Sequence, residues 1–347
     1  MQKNKKQKVV VAMSGGVDSS VAAALLKQAG FDVVGIFMKF WKEGKSSENK
    51  CCSIESEKLA RLVAKKLDIP FYVLNVEKEF KKKVVDYFLK GYKKGNTPNP
   101  CVVCNKEIKF GFLIKKALSF GVDIVATGHY AEIKKGRLFK GKDEHKDQSY
   151  FLWQLNQEQL NHVLFPVGRY TKAEVRKLAK KFKLPTAETP ESQEVCFIQN
   201  TINNFLKKYL KSKPGKIVDV NGKILGEHQG LWFYTIGQRK GLEISQGPYY
   251  AIDKDFDKNI LIVSKNQKDL LKKELLAENI NWILPQKLPA NAEVKIRYKS
   301  LSAKAKILDN GKNKVKIIFT KPQRAITPGQ SVVFYKGDEL LGGGVVE

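Results

Sequence analysis

At 347 residues the chain is long enough for two or three domains and a sizeable core. Its 63 lysines and arginines against 35 aspartates and glutamates leave a formal net charge of +28, a positive field that attracts polyanions, nucleic acid first among them. No apolar run approaches the ~20 residues of a membrane span, and residues 1–8 are too polar for a secretory signal. A cytoplasmic protein without a membrane partner is therefore expected, with its five cysteines reduced.

In chain order, residues 9–13 read as an apolar strand. Ser14-Gly15-Gly16-Val17-Asp18-Ser19-Ser20 follows, and then an apolar helical run begins at Val21. A strand that stops at paired glycines and restarts as a helix makes a cradle of backbone N–H groups at the positive end of a helix dipole, which suits an oligophosphate. The Walker A pattern is excluded, because its glycines stand further apart and a lysine precedes its Ser/Thr. Residues 31–38, 69–74 and 123–127 predict further strands, with helical periodicity near residues 59–67 and 107–119. This alternation predicts an α/β fold, a doubly wound parallel sheet with ligands at the carboxyl ends of its strands. The phosphate loop, Met38 and Gly128-His129-Tyr130-Ala131 all fall at such ends. Residues 43–50, a polar stretch, read as a mobile loop.

Composition changes near residue 205. Residues 218–225 predict a hairpin around an Asn-Gly turn. Residues 294–298, 303–308, 315–319, 331–335 and 340–346 predict short strands separated by turn residues, the pattern of a small barrel. The expected domains are residues 1–204, a small β-rich central domain over 205–274, and a C-terminal β-barrel over 275–347.

An odd cysteine count in a reducing compartment points to chemistry or metal rather than crosslinks. Cys101 and Cys104 lie where a proline-stiffened loop enters a helix, a setting that favours the thiolate. Cys196 follows a second Pro-bearing loop, and Cys51 and Cys52 edge the charged loop. Structural zinc fits poorly, since a single Cys-x-x-Cys pair is present.

The residues 14–20 resemble the pyrophosphate loop of the ATP-pyrophosphatase family, whose members cleave ATP between the α and β phosphates. Further blocks extend the likeness: Thr97-Pro98-Asn99-Pro100 with Cys104-Asn105, Gly128-His129-Tyr130-Ala131, Lys146-Asp147-Gln148-Ser149-Tyr150, Ser192-Gln193 with Cys196-Phe197, and Thr235-Ile236-Gly237-Gln238-Arg239-Lys240-Gly241. Together they make the chain similar, over most of its length, to the bacterial tRNA-specific 2-thiouridylases. That resemblance implies an adenine-nucleotide α-hydrolase-like first domain and 2-thiolation of the wobble uridine in tRNAs for Lys, Glu and Gln. It implies ATP held by Ala12, Met13, Ser14, Gly15, Gly16, Val17, Asp18, Ser19, Met38 and Gly128, with Asp18 placing Mg2+. Asn99, Pro100, Cys101 and His129 match positions at the target base. Lys146, Asp147, Gln148, Arg297, Tyr298 and Gln330 match tRNA contacts. Cys196 matches the persulfide carrier, and Cys104 the thiol that releases its sulfur or forms a Cys104–Cys196 disulfide.

The implied partners are a tRNA anticodon stem-loop and a sulfur donor such as a cysteine desulfurase or sulfur-relay protein. Cys101 departs from the family pattern, where an acidic residue is common. An alternative makes Cys101, Cys104 and Cys196 ligands of a [4Fe–4S] cluster carrying hydrosulfide. Two other classes stand beside these readings: an amide-forming synthetase of the same loop family, and a non-catalytic RNA-binding or iron–sulfur sensing protein.

Overall fold

A computed structural model of the chain describes residues 6–44, 53–190, 195–245 and 247–347. These divide into two compact units. The first comprises residues 1–84, 101–199 and 338–341, and the second residues 85–100, 200–337 and 342–347.

The chain opens with β1 (Lys8–Ala12), α1 (Val17–Gln28), β2 (Asp32–Lys39), α2 (Ile54–Leu67) and β3 (Phe71–Asn75). Then α3 (Glu77–Phe80) runs into a π-helical turn over Lys81–Val85, and α4 (Asp86–Lys93) belongs to the second unit. After α5 (Pro100–Cys104) comes a π-helical stretch, Asn105–Phe112, and α6 (Leu113–Leu118). β4 (Ile124–Ala126), a hairpin of β5 (Ala131–Lys134) and β6 (Arg137–Lys140), α7 (Gln157–Asn161), β7 (Val163–Leu164) and α8 (Lys172–Lys181) complete the first unit. Its main sheet has the order β3-β2-β1-β4-β7, and each neighbouring pair is parallel. Val9, Val10 and Val11 of β1 are almost wholly buried, as a strand covered on both faces requires. The doubly wound parallel sheet expected from the alternation is present. The predicted helix over residues 107–119 is instead a π stretch followed by one short α-helix.

The order reverses at β1: β2 and β3 extend the sheet to one side, β4 and β7 to the other. The carboxyl ends of β1 and β4 therefore flank the topological switch point, where a crevice for ligand opens.

The second unit adds α9 (Ile202–Tyr209), β8 (Gly215–Val218), β9 (Ile224–His228), β10 (Tyr250–Asp255) and β11 (Ile260–Ser264). Here β8 and β9 form the predicted hairpin, its turn fixed by the Asp219 carboxylate, which accepts from the Asn221 and Lys223 amides. These strands make a sheet of order β10-β11-β8-β9. Six strands follow: β12 (Leu271–Trp282), β13 (Ala290–Lys295), β14 (Ala303–Asp309), β15 (Lys314–Arg324), β16 (Ser331–Lys336) and β17 (Glu339–Val346). Their order is β12-β15-β14-β13-β16-β17, and a β12–β17 pairing closes the barrel and removes its open edges. The first residues of β17, Glu339 and Leu340, pair with β6 inside the first unit. The predicted strand over 294–298 ends early, at Lys295.

Candidate active site

The phosphate loop leaves β1 at Ala12. Met13 is buried and its amide donates to the Ile36 carbonyl. Gly15 turns the loop at φ +76°, and a Cβ there would fall 2.2 Å from the Ser56 carbonyl oxygen at the start of α2. The first turn of α2 thus packs directly on the loop, capped by Ser53, whose hydroxyl accepts from the Ser56 amide. Gly16 caps α1. Ser19 donates from its hydroxyl to the Gly16 carbonyl and accepts from the Ser14 amide, which closes the loop on itself. The first-turn amides of α1 remain without intrahelical acceptors, as in any α-helix, and face the region beyond the strand. Val17 is buried beneath.

Across the switch point, β4 ends and Gly128 follows. A Cβ on Gly128 would stand 2.6 Å from the Ser19 amide nitrogen and 2.7 Å from the Asp18 carbonyl carbon, so only glycine admits this approach. Two residues on, the Tyr130 hydroxyl donates to Asp18 Oδ1 at 2.7 Å. Lys172, the first residue of α8, sets its ammonium 2.7 and 2.8 Å from the two Asp18 oxygens and 5.8 Å from the centroid of the Tyr130 ring. Asp18, Tyr130 and Lys172 are one cluster at the mouth of the phosphate loop. Sequence reasoning named Asp18 and missed the other two. The signal was available: Thr171 and Glu174 form a capping box that marks the helix start. A lysine in the first turn works against the helix dipole, so it has to be held there by something else. The box is firm, since the Lys142 ammonium and then the Thr171 amide hold the Glu174 carboxyl down at about 2.

Met38 is buried near the carboxyl end of β2, opposite Leu74 of β3. His129 is 8 % exposed and enclosed by Phe110 and Phe165, each with its ring centroid 5.7 Å away. Its Nδ1 lies 2.6 Å from the Thr127 hydroxyl. Burial, and then the charge on Lys109, push the imidazole well below its ordinary pKa. The ring, held between two aromatic side chains, sets the turn after β4 and favours the neutral form.

The stretch expected to touch tRNA, Lys146 to Gln148, is tied inward. Asp147 is buried, and its carboxylate accepts from the Gly141 amide, the Ser149 amide and the Ser149 hydroxyl. Gln148 exchanges two hydrogen bonds with the Tyr130 backbone, so it fixes the tyrosine that holds Asp18. Lys146 is half-buried.

Cys104 is buried at the end of α5; Cys101 and Cys196 are half-buried, and none of the three is in a disulfide. Both thiol-bearing segments rest on the helix over residues 77–85. Phe197, next to Cys196, lies 5.8 Å from Phe80 ring to ring. Glu107, one turn beyond Cys104, pairs with Lys83 at 3.2 Å. Phe80 closes α3 and Lys83 lies in the π-helical turn that follows, so the two segments contact neighbouring positions of one helical stretch. Among the described residues no group of three or more Cys, His, Asp or Glu is arranged to hold a metal ion. Ser192, Gln193, Cys51, Cys52 and most of the 43–50 loop lie outside the described residues.

In the second unit, Asn99 is half-buried and Pro100 buried, and the chain continues from them into Cys101. Arg297 turns inward: its Nη2 donates to the Ile236 and Ala325 carbonyls and the Thr327 hydroxyl at 3.1, 2.7 and 2.6 Å. It joins the β-rich central part to the barrel. Tyr298 is half-buried, with the Lys295 ammonium 6.0 Å from its ring centroid. Gln330 donates to the Thr97 carbonyl at 2.7 Å. On the barrel, a groove of about 660 Å³ is rimmed by Lys273, Lys304, Lys306 and Lys336 beside Glu293.

A parallel-sheet unit with a glycine-turned phosphate loop at its switch point, followed in sequence by two β modules, has the architecture of a nucleotide-using enzyme. Residues 7–200 match the tRNA methyl transferase HUP domain, residues 203–265 the tRNA methyl transferase PRC-barrel domain, and residues 272–346 the aminomethyltransferase beta-barrel domain. The tRNA-specific 2-thiouridylase MnmA of Carboxydothermus hydrogenoformans is 48% identical over 361 residues, covering 99% of this chain and 98% of that protein. MnmA 2 of Clostridium tetani is 49% identical over 355 residues, covering 99% of each. The enzyme of Clostridioides difficile is 48% identical, covering 98% of each. The chain belongs to the tRNA-specific 2-thiouridylase family. Among solved structures, a 4-thiouridine synthetase–RNA complex with bound ATP is 18% identical at a TM-score of 0.36, covering 55% of this chain and 45% of that one.

Proposed function

We propose that the chain is an ATP-dependent tRNA sulfurtransferase that replaces the C2 oxygen of the wobble uridine by sulfur. The observation that supports this reading is that the segments bearing Cys104 and Cys196 both contact the helical stretch over residues 77–85, in the unit that bears the phosphate loop. The matching domain families are named for methyl transfer, but a methyl donor needs neither that loop nor a thiol pair.

The uracil C2 carbonyl is a poor electrophile with a poor leaving group. Adenylation of its oxygen supplies AMP as leaving group. The loop amides and the α1 N-terminus bind the phosphates. Lys172 stands ready to leave Asp18 for the developing charge, which frees the Asp18 carboxylate for Mg2+, an ion suited to carboxylate and phosphate oxygens. A persulfide on Cys196 then delivers sulfur to C2. Its outer sulfur attacks C2 and displaces AMP, and the Cys104 thiolate then attacks Cys196 Sγ and breaks its bond to the transferred sulfur, or attacks first and releases hydrosulfide that displaces AMP; either order leaves a Cys104–Cys196 disulfide that an external thiol reduces. Asn99 and Pro100 receive the base, which leaves the anticodon loop at a cost of a few kcal/mol. The lysine-rimmed barrel groove and the overall positive charge bind the tRNA backbone. The sulfur comes from a cysteine desulfurase or a relay protein in the cytoplasm. No helix among the described residues is long and apolar enough to cross a membrane.

Purified protein is incubated with ATP, Mg2+, a persulfide donor and an anticodon stem-loop, and the digested nucleosides are weighed. The expected product is 2-thiouridine, with Cys104→Ser and Cys196→Ser each abolishing the gain of sulfur while AMP formation persists. A methylated nucleoside, or sulfur gain that survives both substitutions, overturns the reading.

A further inference from the structure

The loop that delivers Asn99 and Pro100 is held from three sides, all within the second unit. From β10, the Lys254 ammonium donates to the Gly95 carbonyl at 3.0 Å. Gly95 adopts φ +84°, and a Cβ there would fall 2.1 Å from the Phe256 ring, so the chain lies flat on β10 and the turn after it. From the barrel, the turn after β15 takes both backbone groups of Thr97. Its amide donates to the Pro328 carbonyl at 2.8 Å, and its carbonyl accepts from Gln330 Nε2 at 2.7 Å. From the connection between β9 and β10, the Thr235 hydroxyl meets the Thr97 hydroxyl at 3.3 Å. Thr235 is itself braced, because its amide donates to Gln238 Oε1 and the Gly237 amide donates to the Ala251 carbonyl of β10. Behind the loop, Pro98 is buried and packs on Gly91 of α4.

Gly95 and Thr97 thus spend four polar groups on two β modules distant in sequence. An ordinary connection between two helices does not need such partners. Burial of Lys254 lowers its pKa to about 8, against the opposing pull of Asp253, so a costly charge is kept where a neutral side chain would be easier to place.

We infer that Lys254, Thr235 and Gln330 are positioning residues: they fix the loop over residues 95–99 so that Asn99 and Pro100 are presented to the target nucleotide in one conformation. The inference rests on the assignment of Asn99 and Pro100 to the target base in the proposed function. It makes the two β modules part of base presentation as well as of tRNA binding, since any shift of either module moves Thr97.

The test uses the full-length enzyme with Lys254→Met, Lys254→Arg, Thr235→Val and Gln330→Glu. Three quantities are measured: the single-turnover rate of 2-thiouridine formation at saturating tRNA, the tRNA Kd by filter binding, and the thermal midpoint. The expected result for Lys254→Met and Gln330→Glu is a fall of about tenfold in the saturating rate, with Kd within about twofold and the midpoint nearly unchanged. Thr235→Val shows a smaller fall, and Lys254→Arg, which keeps the donor, recovers the rate. Weakened tRNA binding with an unchanged saturating rate makes these residues direct tRNA contacts and overturns the inference. So does a loss of rate that only tracks a lowered thermal midpoint, or wild-type behaviour in all four variants. If the unaltered enzyme makes no 2-thiouridine, the proposed function fails first.

Discussion

The phosphate loop and the loop over residues 95–99 are both punctuated by glycine or proline, yet they are held differently. The first closes on itself, since Ser19 bonds to Ser14 and Gly16, five and three residues away, and its Asp18 carboxylate is then tied to Tyr130 and Lys172 of the same unit. The second draws on two β modules: Thr97 meets Thr235 across 138 residues, and Gln330 across 233. A phosphate cradle needs a fixed set of amides, which one loop and its immediate packing supply. A base drawn out of a tRNA has to be met by a loop whose position reports on the surfaces that hold that tRNA, and contacts to those modules provide this.

The largest expected effect is at the phosphate loop. Lys172→Met removes the cation beside Asp18 and lowers tRNA-dependent AMP release by about 10²-fold or more, with tRNA affinity unchanged in filter binding. Equal loss of tRNA affinity would show that the cluster also serves the other region. Asp147→Ala comes next. It strands the Gly141 and Ser149 amides and costs about 3 kcal/mol of stability by chemical denaturation. A selective loss of tRNA binding at full stability would instead support the tRNA-contact role expected from the sequence.

Arg297→Ala sharpens the long-range side. Loss of a guanidinium that joins Ile236, Ala325 and Thr327 costs about 2 kcal/mol. tRNA affinity and resistance to proteolysis near residue 236 should fall together while ATP affinity holds. The smallest effect is in pH. His129 is held neutral by burial, so below about pH 6.5 the unfolded chain takes up a proton that the folded one refuses. Stability is therefore full above that pH and declines as pH falls below it, by up to about 1.4 kcal/mol per unit. His129→Asn should flatten this slope in a denaturation series.

What could be read from the sequence follows the same division. Val9 to Ser20 announce strand, glycine turn and helix within one short window, and the parallel sheet follows from apolar runs separated by amphipathic ones. The β12 strand was not legible, because its burial alternates unevenly over twelve residues and its first four are exposed. The π-helical stretches have no compositional mark. Asp147, Gln148 and Arg297 were recognisable as important positions, but a polar side chain looks the same in sequence whether it faces RNA or a neighbouring amide. Lys172 was masked by its ordinary place at a capped helix start, and the Lys254–Gly95 contact joins residues 159 positions apart.

The central claim is that Cys104 and Cys196 act as a pair on a base activated by the phosphate loop. It is tested most directly by a single turnover without reductant: enzyme carrying a persulfide is given ATP, Mg2+ and tRNA, then quenched and mapped by peptide mass. The account predicts one 2-thiouridine per enzyme together with a peptide joining Cys104 to Cys196. Repeated turnover with neither thiol oxidised, or a linkage that uses Cys101 in place of Cys104, would contradict it.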